Sequence, residues 1–430
     1  MLALRPIRSW NGSVNTDLMR EVPTQRCVIP VLGVTQILAW GSSYYLLAVL
    51  SKPIADDTGW SLAWVVGGLS LGLLTAGLAS PKVGDSIQRY GGRPVLAASA
   101  IFLACGLIGL ALAPNLPVYI ASWLVLGFGM GAGLYDAAFG TLGRLYGQQA
   151  RSAITTLTLF GGFASTICWP LSAMLVSELG WRGTCFVYAA IHLTILLPLY
   201  VFALPKEARR HEEVGVPLSA NRTSGSKPDG EAPGGSRMLF GLVALVITIS
   251  SMISALFSVH LLTILQSRGI TLAAAVALGA MVGPCQVGAR AIEMVISRNH
   301  HPIWTKLAST IFVATGIAML WAGLPIVSAA LVFYGAGIGI ESIARGTLPL
   351  ALFGARRYAA IVGRIAMPSL VMQAASPSLG SVLIERLGAN GALGTLFAVA
   401  IVNVLLVIVL FGFVSKHARS TAAVASTERG

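Results

Sequence analysis

An all-α membrane protein, with twelve transmembrane helices in two pseudo-symmetric six-helix bundles, is the fold class this sequence predicts. Three observations carry it. Hydrophobic residues make up 55% of the 430 positions and charged residues only 10%, against roughly a quarter charged in soluble domains. Twelve apolar runs near the length of about 20 residues that a bilayer demands follow one another, six on each side of one polar stretch. Gly129-x-Gly131-x-Gly133, then six residues, then Gly140-Thr141-Leu142, returns 206 positions later as Gly335-x-Gly337-x-Gly339 and Gly346-Thr347-Leu348. Such self-similarity at a fixed offset marks a duplicated chain whose binding site lies where the halves meet.

Residues 1–27 contain Arg5, Arg8, Arg20 and Arg26 and no apolar core. That composition predicts a cytoplasmic N-terminal tail and not a cleaved signal peptide. The N-terminal bundle, 28–204, has apolar runs at 28–50, 62–80, 94–112, 118–143, 153–176 and 184–203, bounded by Pro, Gly or charge. Between Pro205 and Arg237 there are six basic and five acidic residues among Gly, Ser and Pro, so 205–237 is a flexible cytoplasmic linker. The C-terminal bundle, 238–414, has runs at 239–262, 273–296, 303–323, 326–348, 358–384 and 392–414, and 415–430 forms a second cytoplasmic tail.

A net charge of +13 would suggest nucleic acid in a soluble protein. In a twelve-span chain it follows instead from the positive-inside rule. With both termini cytoplasmic, only Lys52, Arg182, Arg268 and Arg386 lie outside, and the other Lys and Arg fall on or near the inner side. The charge therefore predicts an integral protein of a bacterial-type inner membrane, in contact with lipid and not nucleic acid. Cys27, Cys105, Cys168, Cys185 and Cys285 are odd in number and unpaired in spacing, so neither disulfides nor a metal site follow; a soft-ligand site for a thiophilic metalloid is the remaining functional use of these thiols. No Gly-x-x-x-x-Gly-Lys phosphate loop is present and no nucleophile with a base at credible depth. The expectation is no enzyme and no cofactor.

The connection between the second and third runs, Gly84-Asp85-Ser86-Ile87-Gln88-Arg89-Tyr90-Gly91-Gly92-Arg93, resembles the signature of the major facilitator superfamily, in the branch that includes monocarboxylate and oxalate/formate carriers. Gly84, Arg89, Gly91 and Arg93 match, and Gln88 stands where that family has Asp. Trp60-Ser61, Gly180-Trp181-Arg182 and Leu204-Pro205 also sit where relatives carry similar residues. The resemblance implies the family fold, with the first and fourth helix of each half lining a cavity, and a gate at the loop motif. It leaves the solute open, because one fold hosts many functions.

Each charge inside a span costs roughly 2.5–3.5 kcal/mol by insertion scales, so it is usually paired or functional. Asp136 lies 19 residues past Pro117, roughly 28 Å along a helix, near the cytoplasmic end. It is either a latch to Arg89 or Arg93 or a proton carrier. Arg290 and Glu293, three apart, and Glu341 and Arg345, four apart, lie on common helix faces where they can pair. Arg364 has no local partner. Gln286-Val287-Gly288-Ala289-Arg290 resembles the segment that, in the same carriers, supplies a carboxylate-binding arginine; a guanidinium suits the task through its planar fork. The other possibility for Arg290 is a bridge to Glu341 or Glu293.

In the first run Gln36, Trp40, Ser43 and Tyr44 repeat at helical spacing, and in the seventh Ser251, Ser254 and Ser258 do the same. Both faces suit an amphiphilic solute, or equally helix–helix contact. His192 and His260 are expected to be packed or interfacial. The Gly-x-x-x-Gly spacings should bring helices close, and Pro170, Pro284, Pro368 and Pro377 should kink theirs. The function expected is a secondary active transporter working by alternating access on a small solute, with a lean to an organic anion and protons as a coupling ion, acting as a monomer. Efflux of drug-like compounds or of a trivalent metalloid such as arsenite, and a non-transporting membrane sensor, are the alternatives.

Overall fold

The computed structural model describes residues 25–206, 235–296 and 300–427; the parts of the expected tails and linker at 1–24, 207–234 and 428–430 lie outside them. Every regular element there is helical: α1 (Gln25–Gly41), α2 (Leu47–Thr58), α3 (Leu62–Tyr90), α4 (Gly92–Ala111), α5 (Leu116–Gly133), α6 (Tyr135–Tyr146), α7 (Ala150–Gly162), α8 (Ala164–Ile191), α9 (Gly235–Gln266), α10 (Leu272–Ala280), α11 (Val282–Ile296), α12 (Pro302–Trp321), α13 (Val327–Phe353) and α14 (Tyr358–Thr427). Two π-helical turns, His192–Leu196 and Leu199–Ala203, follow α8. A backbone that leaves water must satisfy its own polar groups, and helices do so within one segment.

Among the described residues eight apolar helical stretches are long enough to cross a membrane, plus the shorter Cys27–Gly41. Two of the eight are several passes in one. Leu116–Ala203 has 88 residues, which as a straight helix would run roughly 130 Å, four times the hydrocarbon thickness of about 30 Å. The chain doubles back at Gly180 (φ 68°, ψ 176°) inside α8, and again at Gly388 (φ 71°, ψ 171°) inside α14. That conformation is essentially glycine-only. With these turns and the one at Gly147 (φ 59°, ψ −131°) between α6 and α7 counted, the stretches separate into the twelve expected passes.

The kinks differ from expectation. The first, fourth and fifth passes break at Ser42–Leu46, Leu134 and Phe163, with no proline at the break. Pro170, Pro368 and Pro377 sit within continuous helix, and only Pro284, in the first turn of α11, adjoins a break. Membrane helices tolerate Pro where neighbours satisfy the freed groups; His260 of α9 packs 3.0 Å from the Pro377 carbonyl of α14.

The two halves repeat each other, but not at one offset. Positive-φ glycines recur as Gly59 and Gly269, Gly147 and Gly354, Gly180 and Gly388. The opening glycine pattern slips. Gly127 and Gly131 face α3 while Gly129 faces Leu103 of α4; in the second half Gly335 and Gly339 face α11 while Gly337 faces Val313 of α12. The roles therefore match at an offset of 208, not 206, before Leu134. The interruption between α5 and α6, absent from the continuous α13, absorbs the difference.

One hydrophobic core fills the first half and runs on into Leu350, Tyr358, Ala359 and Val362 of the second; two others lie within the second half. The shared part marks the face where residues 206 and 235 emerge, called here the linker face. There Gly84 packs against Ala359 and Gly363, and Gly140 against Ala359. On the opposite face Asp57, at the end of α2, accepts hydrogen bonds from Trp181 Nε1 at 3.0 Å and from Arg182, tying the α2–α3 turn to the Gly180 turn. These bonds, the indole's first, hold the Asp57 carboxyl below the usual carboxylate range.

Two outcomes follow. Gly127→Ala drives a methyl into the Gly72 carbonyl and should cost about 1–3 kcal/mol, lowering the thermal unfolding midpoint in detergent, whereas Gly67→Ala, with nothing within 4 Å, should not. Because the folded-state pKa of Asp57 is depressed, its stabilisation is present above the unfolded pKa and is lost as pH falls through the folded one. The midpoint difference between wild type and Asp57→Asn should therefore be present at neutral pH and vanish in acid below 3.8.

Candidate functional site

Arg290 is buried where the halves meet. Its position four residues after Gln286 on α11 brings the Gln286 Oε1 acceptor to 3.3 Å from Nη2. Nε donates to the Gly339 carbonyl of α13 at 3.1 Å, and Nη1 to the Thr158 carbonyl of α7, in the other half, at 3.0 Å. Gly162 lies against Nη1; a Cβ there would come to 2.5 Å. All three acceptors are neutral. Glu293, one turn on, instead accepts from Thr305 Oγ1 at 2.6 Å and lies 3.4 Å from His300 Nε2. The expected bridges of Arg290 to Glu293 or Glu341 are not formed, and among the described residues no carboxylate pairs with this guanidinium.

A run of aromatic rings leads away from Arg290. Tyr135, whose hydroxyl lies 3.3 Å from the same Thr158 carbonyl, stands 5.0 Å ring to ring from Trp40. Trp40 meets Tyr44 at 5.2 Å and Tyr45 at 6.0 Å, and Tyr45 meets Trp169 at 6.1 Å edge-on. Trp169, with Val49, Thr166 and Ala173 among others, lines an open, mostly apolar groove. Gln36 fixes the wall: Nε2 donates to the Gly133 carbonyl at 2.7 Å, satisfying an acceptor left free where α5 ends, and Oε1 accepts from Trp40 Nε1 at 3.2 Å. The expected face of Gln36, Trp40 and Tyr44 is thus brought to the site, while Ser43 turns back to the Ala39 carbonyl. Tyr45, Tyr135 and Trp169 were missed; the adjacent rings Tyr44-Tyr45 and the Trp169 that precedes Pro170 were the available signal.

The linker face is held by polar contacts between halves. Arg345 grips Asp136 with both prongs, Nε to Oδ1 at 3.0 Å and Nη2 to Oδ2 at 2.8 Å. Asp136 is thus a latch partner, but to Arg345 and not to Arg89 or Arg93, and Arg345 does not pair with Glu341. Asp136 opens α6, where a helix N-terminus favours a carboxylate. Arg364 has a partner after all, Asp85 at 3.3 Å, with both side chains about half exposed and apart from the Arg290 group. Gln88 donates to the Arg356 carbonyl at 2.8 Å and Arg151 to the His300 carbonyl at 2.7 Å. Arg144 caps the carbonyls of Ile87 and Gln88 at the end of α3, and Arg89 lies over the Tyr90 ring, 5.4 Å from its centroid. Gly91 takes a positive φ of 93° at the turn into α4, where Arg93 follows. Among the described residues no hydrogen bond or ion pair joins the halves near the opposite face, so the molecule is closed at the linker face.

Glu341 pairs with a residue that sequence inspection passed over. Lys306 of α12, completely buried, donates to Glu341 Oε1 and to Ser250 Oγ at 2.9 Å. It was missed because a single Lys at the start of an apolar run looks like a flank that reaches for the interface. Ser254 lines the small cavity beside this pair, while its neighbours Ser250 and Ser258 make the side-chain bonds. His192 is buried on Ser42 at 2.7 Å.

The family model described as Major Facilitator Superfamily matches residues 32–359. Monocarboxylate transporter 11 of Homo sapiens is 31% identical over 173 residues, 38% of this chain and 35% of that one. The uncharacterized MFS-type transporter YcxA of Bacillus subtilis (strain 168) is 26% identical over 157 residues, 35% of this chain and 38% of that one. The chain spans little more than a third of the length of these curated relatives. Among solved structures, the human organic anion transporter MFSD10 (TETRAN) is similar with a TM-score of 0.72 at 15% identity, covering 90% of this chain and 100% of its own. The E. coli fucose:proton symporter FucP has a TM-score of 0.64 at 12% identity, covering 88% and 98%.

If the Asp136–Arg345 pair holds the linker face shut, removing either partner should expose what lies behind it. In a cysteine-free background with Ala359→Cys, which is buried against Gly84 and Gly140, maleimide labelling should rise about tenfold in Asp136→Asn or Arg345→Gln, equivalent to ~1.4 kcal/mol. The double variant should label no faster than either single one.

Proposed function

Because the chain belongs to the Major Facilitator Superfamily, we propose that it is a secondary transporter for a small organic monoanion with an apolar or aromatic body, bound through Arg290. The observation that carries this reading is the state of that guanidinium: buried, between the halves, and bonded only to neutral acceptors. The nearby acids are engaged elsewhere, Asp136 by Arg345, Glu341 by Lys306 and Glu293 by Thr305 and His300. Among the described residues Arg290 has no carboxylate of its own, and that of a solute would pair with it through two charge-assisted bonds. The rings of Trp40, Tyr44, Tyr45, Tyr135 and Trp169 supply apolar surface for the rest of the solute.

The Nη1 bond to Thr158 gives binding a mechanical consequence. A carboxylate that takes Nη1 competes with a carbonyl of the opposite half and so loosens one of the contacts that close the linker face. Alternating access then consists of the bundles 28–204 and 238–414 rocking about this site, as the latches at Asp136 and Asp85 release. The excess of Lys and Arg on the linker side supports, by the positive-inside rule, a cytoplasmic orientation for that face and both termini in a bacterial-type inner membrane. Identity to monocarboxylate transporter 11 over part of the chain supports the solute class. The thiols, spread over α1, α4, α8 and α11, lend no support to a metalloid.

Counterflow of labelled monocarboxylates in proteoliposomes tests the proposal. Losing a charged hydrogen-bond partner costs about 1.5–3 kcal/mol, so Arg290→Gln should lower apparent affinity by about 10–100-fold, while Arg364→Gln should not. Unchanged counterflow in Arg290→Gln would overturn the assignment, and solute binding without exchange in wild type would favour a sensor.

A further inference from the structure

Inside the second bundle is a polar chamber that the solute site does not use. Lys306 Nζ is bonded to Glu341 Oε1 and to Ser250 Oγ; Ser309 Oγ donates to Glu341 Oε2 at 2.6 Å; Asn403 Nδ2 of α14 donates to Ser250 Oγ at 2.8 Å. A cavity of about 10 Å³, room for one water, opens beside Ser250, Ser254, Ser309, Thr310, Glu341 and Asn403. Asn403 is buried, and its Oδ1 has no partner. The chamber therefore contains an acceptor waiting for a donor, next to an ion pair.

The first half shows that packing does not require the pair. There Ser99 takes the place of Ser309: each bonds back three residues, Ser99 to the Leu96 carbonyl at 2.7 Å and Ser309 to the Lys306 carbonyl at 2.9 Å. The α5 residue facing Ser99 is Gly133, as Glu341 of α13 faces Ser309. The same helix contact is thus made with Leu96, Ser99 and Gly133 in one half and with Lys306, Ser309 and Glu341 in the other. Burying two charges costs several kcal/mol each before their attraction is recovered, and the first half makes the contact without them.

We propose that Lys306 and Glu341 form the proton-loading site of the transport cycle, an inference that rests on the transporter assignment above and names its coupling ion. In the unloaded state one proton is shared by the pair, on the ammonium, and Glu341 is a carboxylate. Loading transfers one proton from the chamber water to a Glu341 oxygen, leaving a neutral carboxyl; the water is restored from the aqueous side. The Lys306 ammonium keeps its proton and turns an N–H from Glu341 to Asn403 Oδ1. Release reverses the transfer. A monoanion on Arg290 and a proton on Glu341 add no net charge, so loaded and empty carrier cross the low-dielectric state equally charged.

Asp136 fits this role less well, because both its oxygens are held by the single planar fork of Arg345 from the opposite half, whereas Glu341 is held by a lysine and a hydroxyl that each have a second acceptor in the same bundle. The groups around Glu341 are Ser250 and Ser254 from α9, Lys306, Ser309 and Thr310 from α12, Asn403 from α14, and Arg345 one turn along α13; on α11, Glu293 is occupied by Thr305 and Arg290 by carbonyls and Gln286. Lys306 Nζ and Asn403 Nδ2 both donate to Ser250 Oγ, which sets the ammonium beside the Asn403 amide.

Infrared difference spectra of the purified full chain in lipid nanodiscs, titrated from mildly alkaline to mildly acidic pH, test this without any solute, so an error about the solute leaves the result intact. A protonated-carboxyl band should grow on acidification in wild type and in Asp136→Asn, be absent from Glu341→Gln, and move in frequency in Ser309→Ala, which removes a hydrogen bond without removing the acid. A titrating band that survives in Glu341→Gln, disappears in Asp136→Asn, or never forms in wild type would overturn the proposal.

Discussion

A charge held away from water must be paired or hydrogen-bonded, and in this protein that demand falls on one helix. Within residues 339–345, about 9 Å of helix axis, α13 offers the Gly339 carbonyl to Arg290, the Glu341 carboxylate to Lys306 and the Arg345 guanidinium to Asp136. The helix is uninterrupted there, so the three contacts move together. Whatever binds at Arg290 is mechanically linked to the latch six residues away from Gly339, and the buried pair lies between them.

The asymmetry of the halves follows from the same demand. The first half interrupts its fourth pass at Leu134, using the break to free the Gly133 carbonyl for Gln36 and to start α6 with Asp136. The second half keeps the pass continuous and introduces charge instead. Duplication supplies a common packing scheme of glycines against neighbouring helices; the departures from it, Glu341 where Gly133 would be and Lys306 where Leu96 would be, are where polar chemistry enters. Small residues allow backbones to approach closely without filling the site, and those at Gly84, Gly140 and Gly363 do this between the halves, where two bundles must close and part.

The sequence made the architecture legible because span length and apolar composition are set by the bilayer itself. Gly180 and Gly388 turn where the apolar runs stop, and Gln36, Trp40 and Tyr44 lie on the face that their spacing predicts. The charges were legible as a set but not as pairs. Arg290 with Glu293, and Glu341 with Arg345, have the spacing of intrahelical partners, yet neither pair forms; Asp85 and Arg364, 279 positions apart, find each other. Lys306 carried no signal, since one lysine near the end of an apolar run looks the same whether it faces the interface or the bundle interior.

By itself, the sequence determined an all-helical membrane fold, its duplication and the resemblance to its superfamily, because those depend on composition, period and local motif. Tertiary structure alone decided which acid meets which base, which guanidinium is left without a counterion, and which face is closed. Those depend on distances between helices far apart in the chain, where a two-residue slip at Leu134 changes the neighbour that every following side chain meets.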